Sequence, residues 1–158
     1  MNYIIDTTKT TTSKFIPEDY FPAIIEFYDE ELNNHFIEYN YKDSDMFEFS
    51  VHPKTHALKR LTLTLCNHFE IIDGDIELPA CDDGAIFIDG ESTVECETFI
   101  VSVYNDGAVI KISDIPATKY IKTGNLIFAF SNGEELVQVY LVNLSSSDIM
   151  HIKDELIQ

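Results

Sequence analysis

From Phe47 to Leu144 apolar and polar residues alternate with a period of two, and tight-turn dipeptides punctuate the alternation. Phe47, Phe49 and Val51 alternate with polar neighbours, and Leu61, Leu63 and Leu65 alternate with Thr62 and Thr64. His68 to Ile72 forms a third run, closed by Asp73-Gly74-Asp75, and Ala85 to Ile88 precedes Asp89-Gly90. Two further stretches read as hairpins. One runs Thr98 to Tyr104, Asp106-Gly107, Ala108 to Ile112; the other runs Asn125 to Phe130, Asn132-Gly133, Leu136 to Leu144. Asp-Gly and Asn-Gly accept the positive φ that a tight turn demands. A period of two sends successive side chains to opposite faces of a strand and cannot line one face of a helix. The pattern therefore predicts an antiparallel β fold.

The two ends read differently. Phe21, Ile24, Ile25, Tyr28 and Leu32 fall at helical spacing, which predicts a helix within residues 15–38. Pro22 suits its first turn, and Glu18 or Asp19 its positive end. Ile149, Ile152 and Leu156 predict a short C-terminal helix with Ser147 as its cap. Asp114 to Gly124, with Pro116, reads as a loop with a helical turn through residues 118–122. Residues 1–14 read as an edge strand or a frayed arm. The expectation is one α+β, mostly β domain spanning residues 1–158. It is an antiparallel sheet, a β-sandwich or a partly open barrel of roughly seven to nine strands, with an N-terminal helix and a short C-terminal helix.

Charge narrows the function. Twenty-eight acids face ten bases, a formal net charge of -18. Self-repulsion of that size opposes compaction, and it favours rejection of nucleic acid and membranes and rapid capture of a cationic partner. The acids are clustered. Between Leu61 and Ile110 there are eleven and no Lys or Arg. Glu70, Asp73, Asp75, Glu77, Asp82, Asp83, Asp89, Glu91, Glu95 and Glu97 predict a continuous negative rim that docks a basic protein; the bland alternative is a set of solvated turn residues. Glu30 and Glu31 of the expected helix, with Tyr39 beyond it, form a second candidate face, since affinity concentrates in buried aromatics. Phe36, Tyr39 and Tyr41 serve equally well as core.

Other chemistry finds little footing. Asp73, Asp75 and Glu77 resemble the start of a calcium loop, but its sixth position is Leu78 and its twelfth Gly84. His52 and His56 flank a turn, and Cys66 with His68 lacks the paired spacing of a zinc site. Lys54, Lys59 and Arg60 are the one basic cluster within the β pattern. The sequence thus predicts no catalytic residue, metal or cofactor. Three cysteines without a C-x-x-C pair, no signal-peptide pattern and no apolar run of about 18 residues predict a cytoplasmic protein with free thiols.

Three segments carry a resemblance: FEFSVHPKTHALKRLTLTLCNHF (47–69), FIVSVYNDGAVIKIS (99–113) and YIKTGNLIFAFSNGEELVQVYLVNL (120–144). Together they resemble bacterial polymorphic-toxin immunity proteins, in particular those of contact-dependent growth inhibition systems. The resemblance implies a cytoplasmic, non-enzymatic protein that binds and blocks the C-terminal toxin domain of a secreted effector, often a nuclease. It transfers no interface residues, because members of this group differ in fold and binding surface. Two rival readings stand beside it. One is an acidic scaffold module for another basic protein. The other is a small ligand-binding or enzymatic β-barrel, which would hold Cys66 and His68 in an apolar pocket.

Overall fold

A computed structural model describes residues 1–30 and 33–158. The strands in chain order are β1 (Asn2–Asp6), β2 (Lys14–Phe15), β3 (Ala23–Glu26), β4 (His35–Tyr41) and β5 (Asp45–Val51). Next come β6 (Leu58–Leu65), β7 (Phe69–Ile71), β8 (Asp82–Asp83), β9 (Ala85–Asp89) and β10 (Thr93–Glu95). The last are β11 (Ile100–Val103), β12 (Ala108–Lys111), β13 (Lys119–Thr123), β14 (Leu126–Phe130) and β15 (Leu136–Leu141), before the helix α1 (Ser146–Ile157). They form three sheets, none closed into a barrel: β1-β9, β10-β4-β5-β6-β3-β2 and β7-β11-β12-β15-β14-β13-β8.

The period-two segments explain the two large sheets. Phe47 and Phe49 on β5 stand opposite Leu63 and Leu61 on β6, so one face of the six-stranded sheet is apolar. Val101, Val103 and Ile110 supply the matching face of the seven-stranded sheet. The two faces share one buried cluster. Phe49 stacks on Phe128 across it with ring centroids 5.3 Å apart. Both hairpins form, with Val103 opposite Ala108 and with β14 paired to β15. Gly107 is required sterically: a Cβ there would lie 2.4 Å from the Leu141 carbonyl oxygen.

The N-terminal helix does not exist. Residues 23–26 are β3, held between β2 and β6, with Ala23 opposite Leu63 and Ile25 opposite Leu61. Ala23-Ile24-Ile25 is buried on both faces, and a continuous apolar run of this kind mimics a helical stripe by spacing alone. β-branched Ile24 and Ile25 also favour a strand. Leu32, the last residue of the expected stripe, lies outside the described residues. The loop expected over residues 114–124 contains β13, which pairs with β14. The N-terminal arm is a strand, since β1 pairs antiparallel with β9.

The C-terminal helix is present and buries Ile149, Ile152 and Leu156. Its cap is Ser145 rather than Ser147. The Ser145 hydroxyl accepts from the Asp148 amide at 3.1 Å, and the Asp148 carboxylate accepts from the Ser145 amide at 3.1 Å. This reciprocal pair satisfies two amides at the helix start.

The sheets are not wholly antiparallel. β7, β8 and β10 each pair in parallel, and each is the edge strand of its sheet. All three come from the acid-rich, base-free segment. Local chemistry explains the arrangement: short, charged strands at an edge discourage a second molecule from continuing the ladder.

Candidate functional site

A cleft of about 790 Å³ lies between β10, β1 and the β14–β15 turn. Its apolar lining comes from Ile5, Ile112, Phe130 and Leu136. Tyr3 and Tyr39 add two phenols whose hydroxyls are hydrogen-bonded to each other. Its walls carry five carboxylates: Glu91, Glu95 and Glu97 from the β10 segment, and Glu134 and Glu135 from the β14–β15 turn. Lys119 is the single cationic side chain in the lining.

Local sequence builds each wall. β10 is the last strand of its sheet and pairs only with β4, with Val94 opposite Tyr39. Val94 packs against the core, and Thr93 and Glu95 on either side of it stand opposite Glu38 and Asn40. On the other wall, the Ser131 amide donates to the Glu135 carbonyl and the Glu134 amide to the Ser131 carbonyl, both at 2.9 Å. That turn puts Glu134 at a φ of 62° and holds two adjacent acids at the cleft.

Five carboxylates around one cleft give it a negative potential that attracts a cation. Cys96 lies in the same lining but is not a nucleophile. Burial, reinforced by the neighbouring Glu95 carboxylate, pushes its thiol up to about 12, so the thiolate is absent at neutral pH. The cleft is therefore equipped to bind a positively charged group over an apolar surface.

The remaining predicted acids do not join this site as one rim. Glu70 is on β7 and Asp82 and Asp83 are β8, at opposite edges of the seven-stranded sheet. Six spacings of about 4.8 Å separate those edges, about 29 Å along the sheet. Asp73, Asp75 and Glu77 are exposed in the connection that follows β7, and Asp89 is exposed at the end of β9. The continuous rim expected from the sequence is thus divided, and only Glu91, Glu95 and Glu97 share the cleft.

The second expected face changes as well. Glu30 is exposed in the connection after β3, where its carbonyl oxygen accepts the Lys59 ammonium at 2.8 Å. Glu31 lies outside the described residues. Tyr39 is 2% exposed rather than a surface anchor. Its ring stacks on Phe47 with centroids 4.9 Å apart, and burial drives its phenol far above the usual range. It reaches the cleft only from beneath.

Two of the three cations of the basic cluster, Lys59 and Arg60, are engaged within the fold, while Lys54 is exposed. Arg60 pairs with buried Glu26, and Lys59 bonds the Glu30 carbonyl. The His52 ring accepts the Lys54 and Thr55 amides at 3.0 and 3.1 Å. Cys66 and His68 form no apolar pocket. Cys66 donates to the His68 carbonyl at 3.4 Å, and burial with the nearby Asp45 charge pushes its thiol up to about 12. The exposed His68 ring bonds buried Asp45 through Nδ1 at 2.7 Å. Among the described residues no group of three or more His, Cys, Asp and Glu is placed to hold a metal ion. No helix among them is long and apolar enough to cross a membrane.

No protein-family model matches the chain, and the search of curated proteins gave no match. The cleft is therefore read from its own chemistry. Sequence inspection missed Glu134, Glu135 and Lys119. The Asn132-Gly133-Glu134-Glu135 turn was visible as a turn, but its approach to Glu91–Glu97 is a non-local contact that no spacing encodes.

Proposed function

We propose that this chain is a cytoplasmic binding protein of the immunity type, which neutralises a basic toxin domain by seating a cationic part of it in the acidic cleft. The supporting observation is the cleft's lining: five carboxylates against one lysine, over an apolar and aromatic floor. The net charge of -18 adds long-range steering toward a positive surface. Carboxylates can stand in for the phosphates of a nucleic acid on a basic cleft, so a nuclease domain is the favoured target. Affinity would come from side chains covering the floor, and encounter rate from the charges.

The test is co-expression with the toxic C-terminal domain of an effector encoded beside this chain. Wild-type protein is expected to restore growth and to co-purify with the domain. The triple variant E95K/E134K/E135K is expected to fold but to lose rescue. Association of the purified pair should slow at least tenfold between 20 mM and 300 mM salt, because exposed charges are screened over about 10 Å at 0.1 M. A salt-independent on-rate, or full rescue by the triple variant, would refute the cleft as the docking site.

A further inference from the structure

The turn Glu18–Phe21 holds a tyrosine in a conformation that favours glycine. Tyr20 has a φ of 75°, the only Tyr or Phe with positive φ among the described residues. The Phe21 amide bonds the Glu18 carbonyl at 3.3 Å, so Tyr20 occupies the third position of a four-residue turn. Positive φ there is the mark of a type II turn, which selects Gly or Asn. An L-residue is strained in this region, because its Cβ crowds the following carbonyl oxygen.

Burial of the ring does not offset that strain. Tyr20 is 84% exposed, the most exposed large apolar side chain among the described residues. Nor is the turn loose. The Tyr20 amide donates to Glu155 Oε2 at 3.2 Å, and His151 Nε2 donates to the Phe21 carbonyl at 3.0 Å, so helix α1 holds two consecutive residues. Pro17 and Pro22 restrict the backbone on either side. The ring therefore stands out on a braced backbone, little backbone entropy remains to be lost when a partner covers it, and a tyrosine side chain has only two χ angles to fix. Glu18 and Asp19 flank it in the turn, and the Glu155 carboxylate touches its amide.

We infer that Tyr20 is a second docking anchor, whose ring receives an arginine or lysine side chain of the basic partner. A cation above a tyrosine ring is attracted by the ring's quadrupole, and the adjacent carboxylates add to that attraction. The inference takes from the proposed function only that the partner is basic. The turn adjoins β2 and β3, at the opposite edge of the six-stranded sheet from β10. The two features can therefore be followed separately.

The experiment titrates uniformly labelled protein with an octa-arginine peptide at low salt, following backbone amides and tyrosine rings by NMR. The wild type should show saturable shifts at residues 18–21. Y20G should melt at or above the wild-type temperature, because the strain is released. It should bind the peptide about two- to fivefold more weakly at this turn, the range of an exposed cation–π contact. Y20F, which keeps a ring, should keep the affinity. A lower melting temperature for Y20G would show that the ring is structural and overturn the inference. Unaltered peptide affinity in Y20G, or no wild-type shifts at residues 18–21, would overturn it as well. Shifts at residues 18–21 without shifts at Glu95 or Glu134 would sustain this anchor while refuting the cleft; the reverse pattern would do the opposite.

Discussion

Replacing Asp45 with Ala is expected to cost about 3 kcal/mol. The Asp45 side chain is 0% exposed and accepts four hydrogen bonds. They come from the Ser44 hydroxyl at 2.6 Å, the Asn67 amide at 2.8 Å, the His68 amide at 3.0 Å and His68 Nδ1 at 2.7 Å. These bonds tie the start of β5 to the connection by which the chain leaves the six-stranded sheet at β6 and enters the seven-stranded sheet at β7. A hydrogen bond to a charged group contributes about 1.5–3 kcal/mol. The Ser44 bond joins chain neighbours and forms in the unfolded chain too, and the exposed His68 ring is screened by water. The two amide bonds remain, about 3–6 kcal/mol together. Asn67 and His68 are exposed positions, where water replaces part of each lost bond and brings the cost to the lower end.

For a domain of this size that loss lowers the melting temperature by about 6–12 °C. D45N keeps the shape but loses the charge and turns one acceptor oxygen into an NH2 donor. With the remaining oxygen on the two amides and the NH2 facing Ser44 and His68, about 1–2 kcal/mol is expected. The pH dependence fixes the sign. Burial alone would raise the Asp45 carboxyl, but the hydrogen bonds from Ser44, His68 and Asn67 outweigh it and hold it below the ordinary value. A carboxyl depressed on folding stabilises fully above its unfolded pKa of about 3.9 and loses that contribution as pH falls through the folded value. Urea denaturation followed by circular dichroism at pH 7 and pH 3 tests this. The gap between wild type and D45N should be full at pH 7 and smaller at pH 3. A D45A variant within about 0.5 kcal/mol of wild type, the scatter of ordinary surface substitutions, would refute the reasoning. So would a D45N gap that does not change with pH.

Phe49→Ala should destabilise by about 3–5 kcal/mol, measured by the same denaturation, because Phe49 is 0% exposed and joins the two sheets through Phe128. Gly107→Ala should lower the melting temperature by several degrees, because the new methyl meets the Leu141 carbonyl oxygen at 2.4 Å and pushes β12 away from β15. A thiol reagent at pH 8 should label exposed Cys81 first. Cys66 and Cys96, both pushed up to about 12, should react fully only after urea is added. Equal native rates at all three cysteines would contradict the burial assigned to two of them.

The β character, both hairpins and the apolar stripe of the C-terminal helix could be read directly from the residues. Side-chain alternation and Asp-Gly or Asn-Gly turns are local properties, and each strand carries its own record of which face is buried. Residues 21–28 misled for the same reason. Their spacing is local, whereas the partners that make residues 23–26 a strand lie at Phe15 and at Arg60–Leu63. Ser145 rather than Ser147 caps the helix, since Asp148 lies three residues after Ser145 and completes the reciprocal pair, whereas the residue three after Ser147 is Met150.

What the sequence determined by itself was the sign and density of charge and the places where the backbone must turn. Tertiary structure decided where the charge went. The same fifty base-free residues supply the edges β7, β8 and β10 of two sheets, so contiguous acids part across about 29 Å, while Glu134 and Glu135, distant in the chain, meet Glu91, Glu95 and Glu97 at one cleft. Covalent neighbours share a strand, but strand order is fixed by which apolar faces can be buried together, and that is a property of the whole chain.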